Sequence, residues 1–231
     1  LGRGGMGSVY RADSTAPVAG LSTGTVVALK VFHPELVADE LAFTLFRPEA
    51  EIGKEILHGN LVRTYGITSA AWEGQSYHFL VMEFVEGTDL NHLIKNEALS
   101  SDQILAVITQ ICDALHYAHE QGIVHRDIKP DNSMLSRNHA LVTDFGVAKA
   151  VAESGRSDLT SLGVALGTPA YMAPEQAAAD PHVDHRADLY AVGVVAYEML
   201  AGRPPFSAPS PQAVLAAHVT QTPDPITTYR T

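Results

Sequence analysis

The stretch His125-Arg126-Asp127-Ile128-Lys129-Pro130-Asp131-Asn132 is followed, twelve residues on, by Asp144-Phe145-Gly146. It offers a carboxylate that can accept a hydroxyl proton (Asp127), an ammonium group (Lys129), a carboxamide (Asn132) and a second carboxylate (Asp144). Phosphoryl transfer from magnesium-bound ATP needs such a set: a group to orient and deprotonate the acceptor hydroxyl, a cation to offset charge on the moving phosphoryl, and hard oxygens for the metal. Either string alone could arise by chance. Their order and spacing point to one chemistry.

Those groups need a frame. Val26 to Phe32 is an apolar, β-branched run ended by His33-Pro34, and Tyr77 to Phe84 is a second strand closed by Glu86-Gly87. Residues 36–57 carry apolar residues at near-helical spacing and stop at Gly59-Asn60. Beyond them the chain reads mostly helical. Ser100 or Ser101 caps a helix whose apolar face is Ile104, Val107, Ile108, Ile111, Leu115 and Ala118. Further helices are expected over 184–201, ended by Gly202, and over 212–219.

Bulk properties bound the answer. The chain has 231 residues, is 46% hydrophobic and carries a formal charge of −11, so it can bury a sizeable core. That charge argues against a nucleic-acid or anionic-membrane surface. The apolar run from Leu189 to Tyr197 is too short to cross a bilayer. One cysteine, Cys112, allows no intramolecular disulfide and fits a reducing, cytoplasmic setting. The chain opens directly on a glycine loop with Leu1 before it, so the expectation is a segment trimmed at both ends, from a longer protein that could carry a membrane anchor elsewhere.

The opening loop, Leu1-Gly2-Arg3-Gly4-Gly5-Met6-Gly7-Ser8-Val9, has the form G-x-G-x-x-G-x-V. Glycines let backbone amides approach phosphate oxygens. A dinucleotide loop would lead into a helix, whereas Ser8 to Arg11 continues as a strand. Val27-Ala28-Leu29-Lys30 and Gly167-Thr168-Pro169-Ala170-Tyr171-Met172-Ala173-Pro174-Glu175 complete the set.

With these motifs the whole chain resembles the eukaryotic-type protein serine/threonine kinases, bacterial members most closely. The resemblance implies an α+β bilobal fold. A small lobe over residues 1–84, an antiparallel sheet of five strands with one helix, would bind nucleotide. A mainly helical lobe over 85–231 would carry the catalytic loop and activation segment. It implies that Gly2, Arg3, Gly4, Gly5, Met6 and Gly7 cover the phosphates of ATP. Lys30 would bridge two phosphates and pair with Glu49, for which Glu51 and Glu55 are alternatives. Pro48 beside it starts or kinks that helix.

By the same resemblance the adenine would meet backbone groups of Glu83 and Val85 in the segment Met82-Glu83-Phe84-Val85, Met82 guarding the back. Val9, Ala28 and Met134 would sandwich the ring. Asp127 is then the base, Lys129 its phosphoryl-neutralising partner, and Asn132 and Asp144 the ligands of Mg²⁺, with Mn²⁺ an alternative. Ser133 departs from an aliphatic pattern and needs a hydrogen-bond partner. Asp188 would cap the catalytic loop's amides.

Lys129-Pro130 and the segment around Thr168, which would bond Asp127 and Lys129, imply serine or threonine hydroxyls of proteins as acceptors. Arg126 beside the base implies control by a phosphate on Thr160, or second Ser161, added by autophosphorylation within a homodimer. Two rivals stand: a pseudokinase that binds nucleotide as a scaffold, and a small-molecule phosphotransferase. Cys112, His116 and His119 have metal-compatible helical spacing, but the resemblance packs that helix beneath the catalytic loop, so no metal is assigned to them.

Overall fold

The computed structural model describes residues 1–4, 7–15, 17, 20–33, 53–96, 99–145 and 168–230. Gly5, Met6, Pro48, Glu49, Glu51, Thr160 and Ser161 lie outside the described residues. Two compact units divide the chain. One takes the described residues up to Leu57, Leu61–Glu86, and Asp144 with Phe145; the other takes His58–Asn60, Gly87–Thr143 and residues 168–230.

The first unit is a five-stranded antiparallel sheet. Its strands are β1 (Gly2–Gly4), β2 (Gly7–Asp13), β3 (Val26–Phe32), β4 (Thr64–Trp72) and β5 (Gln75–Glu83), in the order β1-β2-β3-β5-β4. The strand expected over 26–32 is there with those bounds. The one expected from Tyr77 starts two residues earlier, because Glu73 and Gly74 both adopt positive φ and turn the chain tightly out of β4. Sequence reading names no strand at β4, whose Gly66, Ala70 and Ala71 weaken its alternation. Gly7 has a structural reason besides any ligand: a Cβ there would meet the Val31 carbonyl oxygen at 2.1 Å. Buried Val27, Phe32, Ile67, Leu80 and Val81 form this unit's core.

The second unit is built on helices, with a small antiparallel sheet of β6 (Thr88–Asp89), β7 (Ser133–Ser136) and β8 (His139–Val142). The helices are α1 (Leu90–Asn96), α2 (Ser101–Glu120), α3 (Pro174–Ala177), α4 (Arg186–Ala201) and α5 (Pro211–Thr220). Ser100 caps α2 reciprocally: its hydroxyl accepts the Gln103 N–H, and the Gln103 side chain accepts the Ser100 N–H. The predicted apolar stripe is buried at Ile104, Val107, Ile111, Leu115 and Ala118, with Ile108 half-buried at its margin. Helix α4 buries most of its surface, leaving Arg186, Leu189 and Gly193 exposed, and ends at Gly202 in the left-handed conformation, φ 71°. No helix among the described residues is long and apolar enough to cross a membrane.

Candidate active site

Local backbone geometry places the catalytic-loop candidates. Arg126, in an irregular loop, has φ 67°, a left-handed conformation that costs a non-glycine residue of order 1 kcal/mol or more. It persists because its surroundings grip it. The carboxylate of Asp188, buried in α4, accepts the N–H of Arg126 at 2.7 Å, the N–H of His125 at 2.8 Å, and a bond from His119 Nε2 at 2.8 Å. The caps expected of Asp188 are therefore made. His125 is itself fully buried, with Nδ1 accepting the Asp127 N–H at 3.2 Å and Nε2 2.8 Å from the Thr143 carbonyl. A ring that accepts at one nitrogen must donate at the other, which fixes the neutral Nε2–H tautomer.

Asp127 is then aimed by its neighbours. Lys129 Nζ lies 2.6 Å from Asp127 Oδ2, and Asn132 Nδ2 donates to that oxygen at 3.0 Å and to the Asp127 carbonyl at 2.8 Å. Both contacts fall on Oδ2, so Oδ1 makes no hydrogen bond among the described residues. Both amide hydrogens of Asn132 are used, which leaves its Oδ1 as the remaining ligand atom. The backbone of Asn132 accepts the N–H of Thr143 at 3.0 Å. Ser133 is fully buried and its hydroxyl finds the Lys129 carbonyl at 3.4 Å, a long bond that answers the need for a partner.

Thr168, Tyr171, Met172 and Gln176 line one recess with Arg126 and Asp127. Thr168 thus shares a recess with Asp127, whose carboxylate is held by Lys129 and Asn132, but the hydrogen bonds expected from Thr168 to Asp127 and Lys129 are not made among the described residues. Arg126 uses Nη2 toward the Val183 carbonyl at 3.5 Å, and its buried Nε has no hydrogen-bond partner among the described residues.

In the sheet unit, directly opposite residues share a face. The register pairs Val9 with Lys30, and Ala28 with both Arg11 and Met82, so Val9, Ala28, Lys30 and Met82 line one face. Lys30 is buried, and its Nζ lies 2.8 Å from Asp144 Oδ2. Asp144 has φ 67°. Glu83 gives its N–H to the Arg63 carbonyl at 2.8 Å, while Val85, past the end of β5, makes no backbone hydrogen bond among the described residues. Phe84 lies under the Arg11 guanidinium, 5.6 Å from its ring centre. Gly2 and Arg3–Gly4 form β1, and a Cβ at Gly2 would meet nothing within 4 Å. Met134 is half-buried in β7.

Two contacts of the helical unit escape sequence reading. Tyr171 donates to Glu198 Oε2 at 2.6 Å; burial pushes the Glu198 carboxyl above its usual range and raises the Tyr171 hydroxyl further still. Gln176 joins two backbone segments, and no spacing rule marks it. The three residues of the metal-like spacing diverge: His116 turns to Glu120 at 3.6 Å, His119 to Asp188, and Cys112 is half-buried.

Each unit offers donors of a kind that suits magnesium and phosphate oxygens: the Asp144 carboxylate beside buried Lys30 in the sheet unit, and the Asn132 carboxamide oxygen with the Asp127 carboxylate beside half-buried Lys129 in the helical unit. The protein kinase domain profile matches residues 1–229. The serine/threonine-protein kinase PknB of Mycobacterium tuberculosis is 38% identical over 227 residues, 97% of this chain and 35% of PknB. PknB of Mycolicibacterium smegmatis is 37% identical over the same length, again 97% of this chain and 35% of that protein. A crystal structure of the M. tuberculosis PknI kinase domain, a cysteine-to-alanine variant, superposes with a TM-score of 0.70 at 27% identity, covering 100% of this chain and 78% of that one. The chain spans about a third of the length of the curated relatives it matches. Its sheet unit, its helical unit and its motifs make this chain a member of the protein kinase domain family.

Proposed function

We propose that this chain is the catalytic domain of a protein serine/threonine kinase that transfers the γ-phosphoryl group of ATP to hydroxyls of protein substrates. The observation that carries the reading is the state of Asp127: one carboxylate oxygen is fixed by Lys129 and Asn132, and the other, which makes no hydrogen bond among the described residues, is placed to accept a substrate proton. Asp127 Oδ1 orients the acceptor hydroxyl and takes its proton as the oxygen attacks the γ-phosphorus, whose bond to the β–γ bridging oxygen breaks to release ADP. Lys129, already within 2.6 Å of that carboxylate, offsets charge on the phosphoryl oxygens. Asn132 Oδ1 and the Asp144 carboxylate would hold Mg²⁺, which supplies neutralising charge to the phosphates when bound. Lys30 exchanges its Asp144 contact for the nucleotide's phosphates and Glu49.

The sheet face of Val9, Ala28 and Met82, with Met134, takes the purine. The open amide of Val85 and the carbonyl of Glu83 read its edge. Gly2 through Gly7 cover the phosphates. Thr168, in the recess beside Asp127, positions the acceptor and favours serine or threonine over the longer tyrosine. Dependence on ATP assigns this domain to the cytoplasm.

The buried Nε of Arg126, which has no hydrogen-bond partner among the described residues, supports a phosphate-responsive control. A phosphate on Thr160 or Ser161, transferred between two copies of the chain, would give that guanidinium an anionic acceptor.

The test is incubation of the full-length protein with radiolabelled ATP beside Asp127→Asn and Lys30→Met. Label in the unsubstituted protein and little in either variant is expected, with phosphate mapped by mass spectrometry to Thr160 or Ser161. Equal label in all three removes the catalytic assignment. Fully active protein without phosphate on residues 145–173 removes the regulatory one.

A further inference from the structure

The peptide joining Arg126 to Asp127 sets the direction of the base, and both its polar groups are engaged. Its N–H goes to His125 Nδ1 at 3.2 Å. Its carbonyl accepts Gln176 Nε2–H at 2.9 Å, and the same carboxamide accepts the Ala173 N–H through Oε1 at 3.1 Å. The partners fix which way the amide points, because a carbonyl can only accept and an N–H can only donate. Gln176 therefore bridges the start of α3 to the strained residue that precedes Asp127, a residue whose own N–H is held from the other side by Asp188 at 2.7 Å.

We infer that Gln176 is a positioning residue for the base: its donated hydrogen bond holds the Arg126–Asp127 peptide plane, so the end of the activation segment and the aim of Asp127 are mechanically one. This rests on the reading of Asp127 as base. A left-handed arginine has no intrinsic preference for that conformation, and rotation of its peptide would swing the Asp127 side chain. An ångström of misplacement at a proton acceptor costs a large part of the rate. The bond to Ala173, by contrast, is a helix-start contact that acts on stability.

The two bonds can be separated by chemistry. Glutamate at 176 still accepts the Ala173 N–H but has no hydrogen for the Arg126 carbonyl, and repels it; methionine makes neither bond. In full-length protein, Gln176→Glu is expected to lose less thermal midpoint than Gln176→Met while kcat falls ten-fold or more, with KM for ATP within two-fold of the unsubstituted value. Gln176→Met is expected to lose both kcat and thermal midpoint. Wild-type kcat in Gln176→Glu overturns the inference and leaves Gln176 a helix-start contact. If Gln176→Glu does not fold, Gln176→Met decides: a folded methionine variant with wild-type kcat overturns it, and one with kcat down ten-fold at unchanged KM upholds it. Unsubstituted protein that labels no better than Asp127→Asn removes the kinase reading itself, a distinct result from an active enzyme indifferent to residue 176.

Discussion

Lys30 Nζ and Asp144 Oδ2 lie 2.8 Å apart, with the lysine side chain 10% and the carboxylate side chain 16% exposed. Such a pair adds little net stability when both members are present, but removing one takes a close partner from a largely buried charge, at about 3 kcal/mol. Lys30→Met should lower unfolding free energy by that order as well as abolish phosphoryl transfer. Lys30→Met/Asp144→Leu should recover stability without recovering activity. Urea unfolding of the four proteins closes the cycle, and an additive double variant would show that the two groups are uncoupled.

Asp188 holds three donors on one carboxylate. Alanine there strands the N–H groups of His125 and Arg126 in the interior, where each unsatisfied group costs about 1–3 kcal/mol. Asp188→Ala should therefore destabilise strongly, and Asp188→Asn less, because its single carboxamide oxygen can serve part of the set. Both should lower kcat through the catalytic loop they release. A thermal midpoint for Asp188→Ala within a degree of wild type would contradict this ranking.

Much of the site was legible because its chemistry is written in short strings: Asp127, Lys129, Asn132 and Asp144 come from two motifs, and Lys30 from a strand whose bounds were read correctly. Asp188 was legible only through resemblance, since a buried carboxylate violates the pattern of its apolar helix. Gln176 and the Tyr171–Glu198 pair were not legible. Their meaning lies in backbone carbonyls and buried oxygens brought from residues 27 to 50 positions away, and no periodicity encodes that. β4 was missed for a simpler reason: its small residues carry little alternation, and the turn at Glu73-Gly74 is what declares the hairpin.

His218 gives the helical unit a pH dependence. It is buried in α5 with the Tyr190 hydroxyl 2.8 Å from Nδ1 and the Phe206 ring edge-on, and burial holds its pKa below the ordinary 6.5. As pH falls through 6.5 the unfolded chain takes up a proton that the folded ring refuses, so unfolding is favoured progressively until the folded ring also titrates. Stability should decline below pH 6.5 more steeply in the wild type than in His218→Gln. Subtracting one urea-derived stability profile from the other isolates this group. Parallel profiles between pH 5 and 7 would refute the assignment.

The Tyr171–Glu198 contact couples the end of the activation segment to α4, and its sign with pH runs opposite to that of a surface carboxylate. Burial raises the folded Glu198 pKa above 4.5, so between 4.5 and the folded value the native state holds a proton that the unfolded state has released. Stability from this group is full below 4.5 and declines as pH rises through the folded value. Tyr171→Phe removes the hydroxyl that donates to Oε2 and leaves the buried carboxylate poorer by one hydrogen bond, at about 1–3 kcal/mol. The loss should therefore be larger at pH 8, where the carboxylate is charged, than at pH 5. Glu198→Gln should show a flatter profile over the same range. Because Tyr171 lines the recess with Asp127 and Thr168, Tyr171→Phe should also raise KM for the protein substrate while leaving KM for ATP unchanged. Measuring both constants separates a substrate-side defect from general loosening, which would move the two together.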